Sequence, residues 1–392
     1  MTDVKEMGTL YTKEMLQLVS YAFQWELSER NIQRFELLTK NSWNYGSFDE
    51  QGKLASQVMA TPFSVDFFGQ IYKMAGIGFV ASYPEYRSQG RIDRIMNQLL
   101  QDCKERGAVL SYLAPFSYPF YRRYGYELLF ERIAYESNAA QWPDIPKTEG
   151  QVKRVTWEQG KDAIKQLFQK LPRHHRGGVV REDWWLEFKF PLRKDYTYAL
   201  YQHEEETEGY LVYQIQEGKL TVYEWVSLTG RAYQGLNRMI ASHNGSVHTI
   251  VYEEGFDGTD RQFLAATPLE KVSVRPEMMG RVVDVAAFLA DYPFLDRLQE
   301  DIALVIETDV YAPWNTGVYE LRRQGNDVTV TKTTETSLPK ITLSIQRFTQ
   351  LMMGSHTPDQ LAFYGLLNGD TKAIDAVKEI TPKQRPILED YF

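Results

Sequence analysis

The stretch from Gly76 to Leu113 constrains the fold more than any other part of the chain. It opens on an apolar run from Gly76 to Ser82, which Pro84 interrupts, and Arg87, Ser88, Gln89, Gly90 and Arg91 then turn straight into a helix. Over the expected helix, Gly90 to Arg106, the residues Ile92, Ile95, Met96, Leu99, Leu100 and Cys103 recur at the spacing of one buried face. Gly107 stops the helix, and Val109 to Leu113 reads as the next strand. Strand, helix and strand at these lengths require a right-handed crossover, and therefore two parallel strands with a helix against one face of their sheet. The turn also has a chemical reading. The first N–H groups of a helix have no internal partner and favour an anion such as phosphate, and Gly90 leaves the backbone open to approach. Neither a GxGxxG fingerprint nor a Walker lysine accompanies it.

The remaining patterns group around this unit. Helices are expected at Lys13–Phe23 and Asn31–Leu38, and strands at Leu54–Phe68 and Ile71–Val80 with a turn at Gly69 and Gln70. Asn138 to Gly150 carries linker chemistry. Beyond it a helix is expected at Trp157–Lys170, strands at Tyr196–His203, Tyr210–Ile215 and Lys219–Ser227, and a helix at Ala232–Ser242, without a matching glycine turn. From Val282 the pattern becomes α+β, a unit of about a hundred residues that can hold its own core. Its helices are expected at Val285–Ala290, Ile345–Met353, Pro358–Leu367 and Thr371–Ile380. Its strands are expected at Ile302–Thr308, Gly317–Leu321, Asp327–Lys332 and Lys340–Ser344. A chain of 392 residues accommodates three such domains, expected over 1–147, 148–281 and 282–392.

Composition narrows the function classes. A net charge of −8 is a poor match to a nucleic-acid backbone and a better one to a cationic small substrate. The single cysteine, Cys103, excludes an intrachain disulfide and a cysteine-based metal site, and the six histidines show no metal-ligand spacing. No apolar run approaches the roughly 18 residues of a membrane helix, and the first residues lack signal-peptide chemistry. The expectation is a cytoplasmic protein with no metal, no nucleic acid and no membrane partner.

Two motifs carry a resemblance. Arg87-x-x-Gly90, after a strand and opening a helix, resembles the acetyl-CoA pyrophosphate turn of the GCN5-related N-acetyltransferases. The segment Phe120 to Glu127, with Tyr121, Arg122, Arg123, Tyr124, Gly125 and Tyr126, is similar to the Tyr-x-Arg-Phe-Gly-Tyr element of their enhanced-intracellular-survival (Eis) branch. The turn departs from the family at Ile92, where Gly or Ala is usual, and at Gln89, where a basic residue is common.

The resemblance implies an α/β and α+β chain of two acetyltransferase-like domains followed by a sterol-carrier-like domain. It also implies acetyl-CoA as cosubstrate and a homo-oligomer, usually a hexamer. Val80, Ala81 and Ser82 would follow the pantetheine arm; Ser88, Gln89, Gly90, Arg91, Ile92 and Asp93 would wrap the pyrophosphate; Tyr121 and Arg122 would lie near the cofactor. Tyr126 would be the proton donor and the terminal carboxylate of Phe392 the proton acceptor.

This chemistry is coherent in its own right. Acetyl transfer to an amine needs an N–H for the oxyanion, a hydroxyl for the departing thiolate and a base for the ammonium. The implied acceptor is a small cationic amine of the aminoglycoside or polyamine kind. A carrier of apolar ligands with a vestigial acetyltransferase domain, and an acetyltransferase of protein lysines, are the competing readings. For single residues the plainer expectations are a solvated basic loop at Arg173–Arg176, surface charges at Glu26, Glu389 and Asp390, and packing roles for Trp25, Trp184 and Trp185.

Overall fold

The computed structural model describes residues 4–143, 146–259, 269–294, 298–325 and 327–392. The chain begins β1 (Val4–Met7), α1 (Thr12–Phe23), α2 (Glu29–Lys40), β2 (Trp43–Phe48), β3 (Leu54–Phe67), β4 (Gln70–Ser82), α3 (Arg91–Glu105) and β5 (Leu110–Leu113). It continues α4 (Tyr118–Arg122), β6 (Glu127–Asn138), β7 (Gln151–Val155), α5 (Trp157–Lys170), β8 (Arg176–Val180), α6 (Asp183–Lys189), β9 (Thr197–His203), β10 (Glu206–Gln216) and β11 (Lys219–Ser227). Then come α7 (Gly230–Ala241), β12 (Thr249–Gly255), β13 (Lys271–Val282), α8 (Val285–Ala290), β14 (Ile302–Ile306), β15 (Gly317–Gln324) and β16 (Asp327–Thr333). The last elements are β17 (Lys340–Leu343), α9 (Ile345–Met352), α10 (Pro358–Phe363), β18 (Asn368–Gly369) and α11 (Thr371–Ile380).

The crossover expected from Gly76–Leu113 is present: β4 and β5 pair in parallel, with α3 between them in sequence. The apolar stripe of α3 is buried, Ile95, Met96, Leu99, Leu100 and Cys103 packing with Val58, Ala60, Ala75 and Ile77 of the sheet. The opposite face of β3 and β4 carries α1 and α2.

One sheet runs through the first two thirds of the chain, in the order β1-β2-β3-β4-β5-β13-β6-β12-β11-β10-β9-β7, with β8 paired to β3. Strand β13 is inserted between β5 and β6, so the two α/β halves share a continuous ladder. A second sheet, β16-β15-β14-β17-β18, belongs to the last third. Arg281, fully buried at the end of β13, binds Asp309 and the carbonyl of Tyr124, clamping both halves to the last unit.

The last residues pack inward. Asp390 is 1% exposed and accepts from Arg181 Nε at 3.0 Å and Trp185 Nε1 at 2.8 Å, and the other face of the Arg181 guanidinium binds Glu224 at 2.6 Å. Glu389 accepts from the Gly255 amide and from Arg173. The loop at Arg173–Arg176 is therefore not solvated, and Glu389 and Asp390 are not surface charges. Carboxylates and arginines far apart in sequence neutralise one another at the junction of three elements. Breaking one partner of such a pair strands a buried charge, at a cost of about 3–5 kcal/mol.

His174 lies in this junction, stacked on Phe168 at 3.8 Å with Nδ1 2.9 Å from the Phe168 carbonyl. Burial pulls its pKa down to about 4; Arg173 and Arg181 push the same way and Glu389 opposes. The unfolded chain takes up this proton near pH 6.5, whereas the folded chain refuses it until about pH 4. Stability contributed by the neutral ring is complete above pH 6.5 and declines by about 3 kcal/mol as the pH falls through that window. Melting temperature against pH should therefore fall between 6.5 and 4, and His174→Phe should flatten that part of the curve. An equally steep decline in the variant would assign the acid sensitivity elsewhere.

Candidate active site

The main cleft is made by a defect in the sheet. Pairing of β4 with β5 runs from Met74↔Leu110 to Ile77↔Leu113 and then stops, while β4 continues to Ser82. The register against β3 shifts at the same place, with Met59 opposite Gly78 and Gln57 opposite Ala81. The extra residue is a bulge, and Phe79 within it has φ +49, a left-handed conformation rare for an aromatic residue. Its ring is held by Trp25 at 5.4 Å, Phe35 at 5.5 Å and Phe23 at 5.9 Å. The bend leaves the β5-facing main chain of residues 78–82 without a strand partner.

The turn leading to α3 closes one end of this gap. Ser88 has φ +58 and Gly90 φ +66, which bend the chain so that successive amides converge. Gly90 is the N-cap of α3 and no side chain caps it; the first helical bond is Arg94 N–H to the Gly90 carbonyl. The amides of Arg91, Ile92 and Asp93 are thus the open end of a 15-residue helix.

The cleft has a volume of about 870 Å³, and all nine residues of 80–82 and 88–93 line it. Arg87, Arg123, Tyr124 and Phe116 line it too and had no assigned role. The side chain of Arg91 does not face an anion there: its Nη1 donates to Ser47 Oγ and the Phe48 carbonyl, both at 2.9 Å, tying the turn to β2. Asp93 accepts from the Tyr124 hydroxyl and lies 3.5 Å from Arg123, whose charge offsets its own.

Tyr121 and Arg122 are not on the cleft wall. Tyr121 is 2% exposed among Phe116, Phe120 and Tyr126, and Arg122 turns away to Glu127 at 2.8 Å. One residue further on, Arg123 lines the cleft, as Arg87 does. Tyr126 is fully buried and does not line the cleft; its hydroxyl is 2.7 Å from Ser111 Oγ. Ser111 spends its own proton on the Ala75 carbonyl at 2.8 Å, so Tyr126 is the donor in that pair. Burial raises the phenol's pKa, and the hydroxyl is protonated at neutral pH.

Phe392 reaches the same strand from the other face. A Cβ on Gly76 would lie 2.7 Å from the Phe392 ring, and one on Gly78 would lie 3.6 Å from its terminal carbon. Alternate glycines on one face of β4 thus make room for the last residue, a close approach that Gly76 and Gly78 could have signalled in the sequence. The ring packs on Phe63 at 5.1 Å and Trp185 at 6.2 Å. Among the described residues the Phe392 carboxyl makes no ion pair. It sits next to the residue at which β4 bends.

The second α/β half repeats the topology but not the opening. Strands β11 and β12 are parallel with α7 between them, yet Thr229 caps α7 through its side chain. Thr229 in turn donates to Glu208, which also binds Arg231. The Thr229 hydroxyl thus occupies the Ala232 amide, a group of the kind that the α3 turn leaves open.

Comparison with known proteins matches these observations. Residues 3–129 match the profile of an acetyltransferase (GNAT) domain, residues 177–282 match a second profile of the same description, and residues 285–389 match a sterol carrier protein domain. A solved structure from Enterococcus faecalis V583, a conserved protein of unknown function called a probable N-acyltransferase, is 42% identical over 100% of both chains with a TM-score of 0.96. A GCN5-related N-acetyltransferase from Anabaena variabilis is 20% identical over 100% of both chains, with a TM-score of 0.86. Eis1 from Mycobacterium abscessus is 18% identical over 100% of both chains, with a TM-score of 0.79. These two likenesses show the fold. A curated relative from Streptomyces avermitilis, named as an uncharacterized N-acetyltransferase, is 25% identical over 238 residues, so the match spans about half of its length, 55%. Among the described residues no helix is long and apolar enough to cross a membrane, and no group of three metal-ligating side chains gathers.

Proposed function

Because the chain belongs to the GCN5-related N-acetyltransferases, with two acetyltransferase domains followed by a sterol carrier protein domain, we propose that its first domain transfers acetyl from acetyl-CoA to a primary amine. The observation that carries this reading is the parting of β4 from β5 beside an uncapped helix start. The Eis branch is the subgroup we favour, on the Tyr121–Tyr126 motif and the three-part architecture. The acceptor is a small amine, cationic before transfer, of the aminoglycoside or polyamine kind.

Acetyl-CoA supplies an activated thioester; the chain supplies everything else. The amides of residues 88–93 hold the pyrophosphate, and the free main chain of Val80, Ala81 and Ser82 pairs with the pantetheine arm. A β4 N–H at the bend steadies the oxyanion. The amine nitrogen bonds to the acetyl carbon, the carbon–sulfur bond breaks, and the thiol leaves with one proton. We assign that proton to Tyr126 and the ammonium proton to the carboxylate of Phe392. We also propose a homo-oligomer, for which the exposed Phe363 and Tyr364 supply an apolar patch.

The test is thiol release from acetyl-CoA over a panel of amines; absence of release with every amine would overturn the reading. Tyr126→Phe deletes one hydroxyl and little volume. It should lower kcat about 10²–10⁴-fold while acetyl-CoA affinity holds. A loss below tenfold would make Tyr126 a packing residue.

A further inference from the structure

The second α/β half has a capped helix start, yet it takes hold of the end of the chain. Its strand β8 pairs with β3, the neighbour of β4, from Phe67↔Arg176 to Ser64↔Val180. Arg181 follows β8 directly and is 1% exposed. One edge of its guanidinium meets Glu224 of β11 at 2.6 Å, and Nε donates to Asp390 at 3.0 Å. Two residues of α6 reach the same Asp390 carboxylate: Trp185 Nε1 at 2.8 Å and Lys189 Nζ at 3.3 Å. Lys189 also donates to the Glu389 carbonyl at 2.7 Å. Two cations, Arg181 and Lys189, thus balance two anions, Glu224 and Asp390.

The neighbouring residues are tied to the same half. The Ile387 amide donates to the Arg176 carbonyl at 3.1 Å, and Glu389 accepts from the Gly255 amide at 3.0 Å and from Arg173 at 3.2 Å. Both acidic side chains of the tail are therefore bonded to cations. The terminal carboxyl of Phe392, by contrast, makes no ion pair among the described residues. The contrast has a chemical consequence. An arginine bound to a carboxylate lowers its affinity for a proton, so a base is better held through other groups than through a cation of its own. Asp390 lies two residues before the terminal carboxyl, at most about 7 Å along the chain, so the place of one limits the place of the other.

We propose that Arg181, with Trp185 and Lys189, is a positioning residue for acetyl transfer: it anchors Asp390 so that the Phe392 carboxylate stands beside the bend of β4 with its charge free. This gives the second acetyltransferase domain a part in the reaction of the first. It rests on the acetyl-transfer reading above and on the base role assigned there to Phe392. A reacting group displaced by about 1 Å costs up to about a hundredfold in rate.

Asp390→Asn keeps the shape of the side chain and removes its charge. It should lower kcat about 10–100-fold while acetyl-CoA affinity holds, because the cofactor turn is on another element. Arg181→Met combined with Asp390→Leu removes one cation and one anion together and leaves Glu224 with Lys189 and Tyr210. This paired variant should show the same loss, and it serves if Asp390→Asn fails to fold; melting temperature reports folding. Either variant is then combined with amidation of Phe392. An anchor that acts through the carboxylate has nothing to position once that group is an amide, so kcat should fall no further than in the amidated protein alone. Losses that multiply, or full kcat in the folded variants, would overturn the proposal and leave the base role of Phe392 standing. Full turnover by the amidated protein would overturn both, and no thiol release with any amine would overturn the acetyl-transfer reading beneath them.

Discussion

Gly90→Val should weaken acetyl-CoA binding by about 10²–10⁴-fold in a chain that still folds. The estimate is two charge-assisted bonds to pyrophosphate, each about 1.5–3 kcal/mol, at 1.4 kcal/mol per tenfold. Gly90 has φ +66, where a side chain costs about 1–2 kcal/mol and a β-branched one more. A Cβ there would have 3.4 Å to Arg94 Nη1 and 3.9 Å to Asp93 Oδ2, so the protein itself leaves room. What the valine methyls would fill is the hollow into which the amides point. Calorimetric titration measures the affinity, and circular dichroism the melting temperature. Gly90→Ala should fall between wild type and Gly90→Val. Normal binding by Gly90→Val would mean that the cradle lies elsewhere.

Blocking the carboxylate of Phe392 should lower kcat by about 10²–10⁴-fold, the usual contribution of a general base. The ring over Gly76, the contacts with Phe63 and Trp185, and the Asp390–Arg181 pair survive when the carboxylate becomes an amide. Only charge and proton affinity change. Deleting Phe392 should act alike, since the carboxylate then retreats by roughly 3.3–3.6 Å along the chain. Acetyl-CoA affinity should hold in both, because the amides of the α3 turn lie on another element. A chain tagged at its other end should keep its activity. Full turnover by the amidated protein would remove Phe392 from the mechanism without touching the cofactor site.

Much of this was legible in the residues. The α3 stripe, the glycine turn and the parallel crossover follow from local periodicity and backbone freedom, and Trp157–Lys170, Lys219–Ser227 and Val285–Ala290 have the observed bounds. Strand β13 did not show itself because Pro276 and Gly280 lie within it and two register shifts break its alternation. The fate of Glu389 and Asp390 depended on Arg173 and Arg181, more than two hundred residues away, and no local pattern encodes such a pairing. In the cleft, the main-chain positions 80–82 and 88–93 were readable from strand and turn. Which side chains of 121–124 meet the opening was not, because the short helix α4 buries Tyr121 and turns Arg122 to Glu127, and Arg123 and Tyr124 line the cleft instead.

The central claim is that one uncapped helix start, in the first domain, holds the cofactor. Titrating the intact chain with acetyl-CoA tests it most directly. One site per chain is predicted, lost in Gly90→Val and unaffected by Thr229→Ala, because Thr229 and Glu208 close the corresponding turn of the second domain. Two sites per chain, or a single site that survives Gly90→Val, would contradict it.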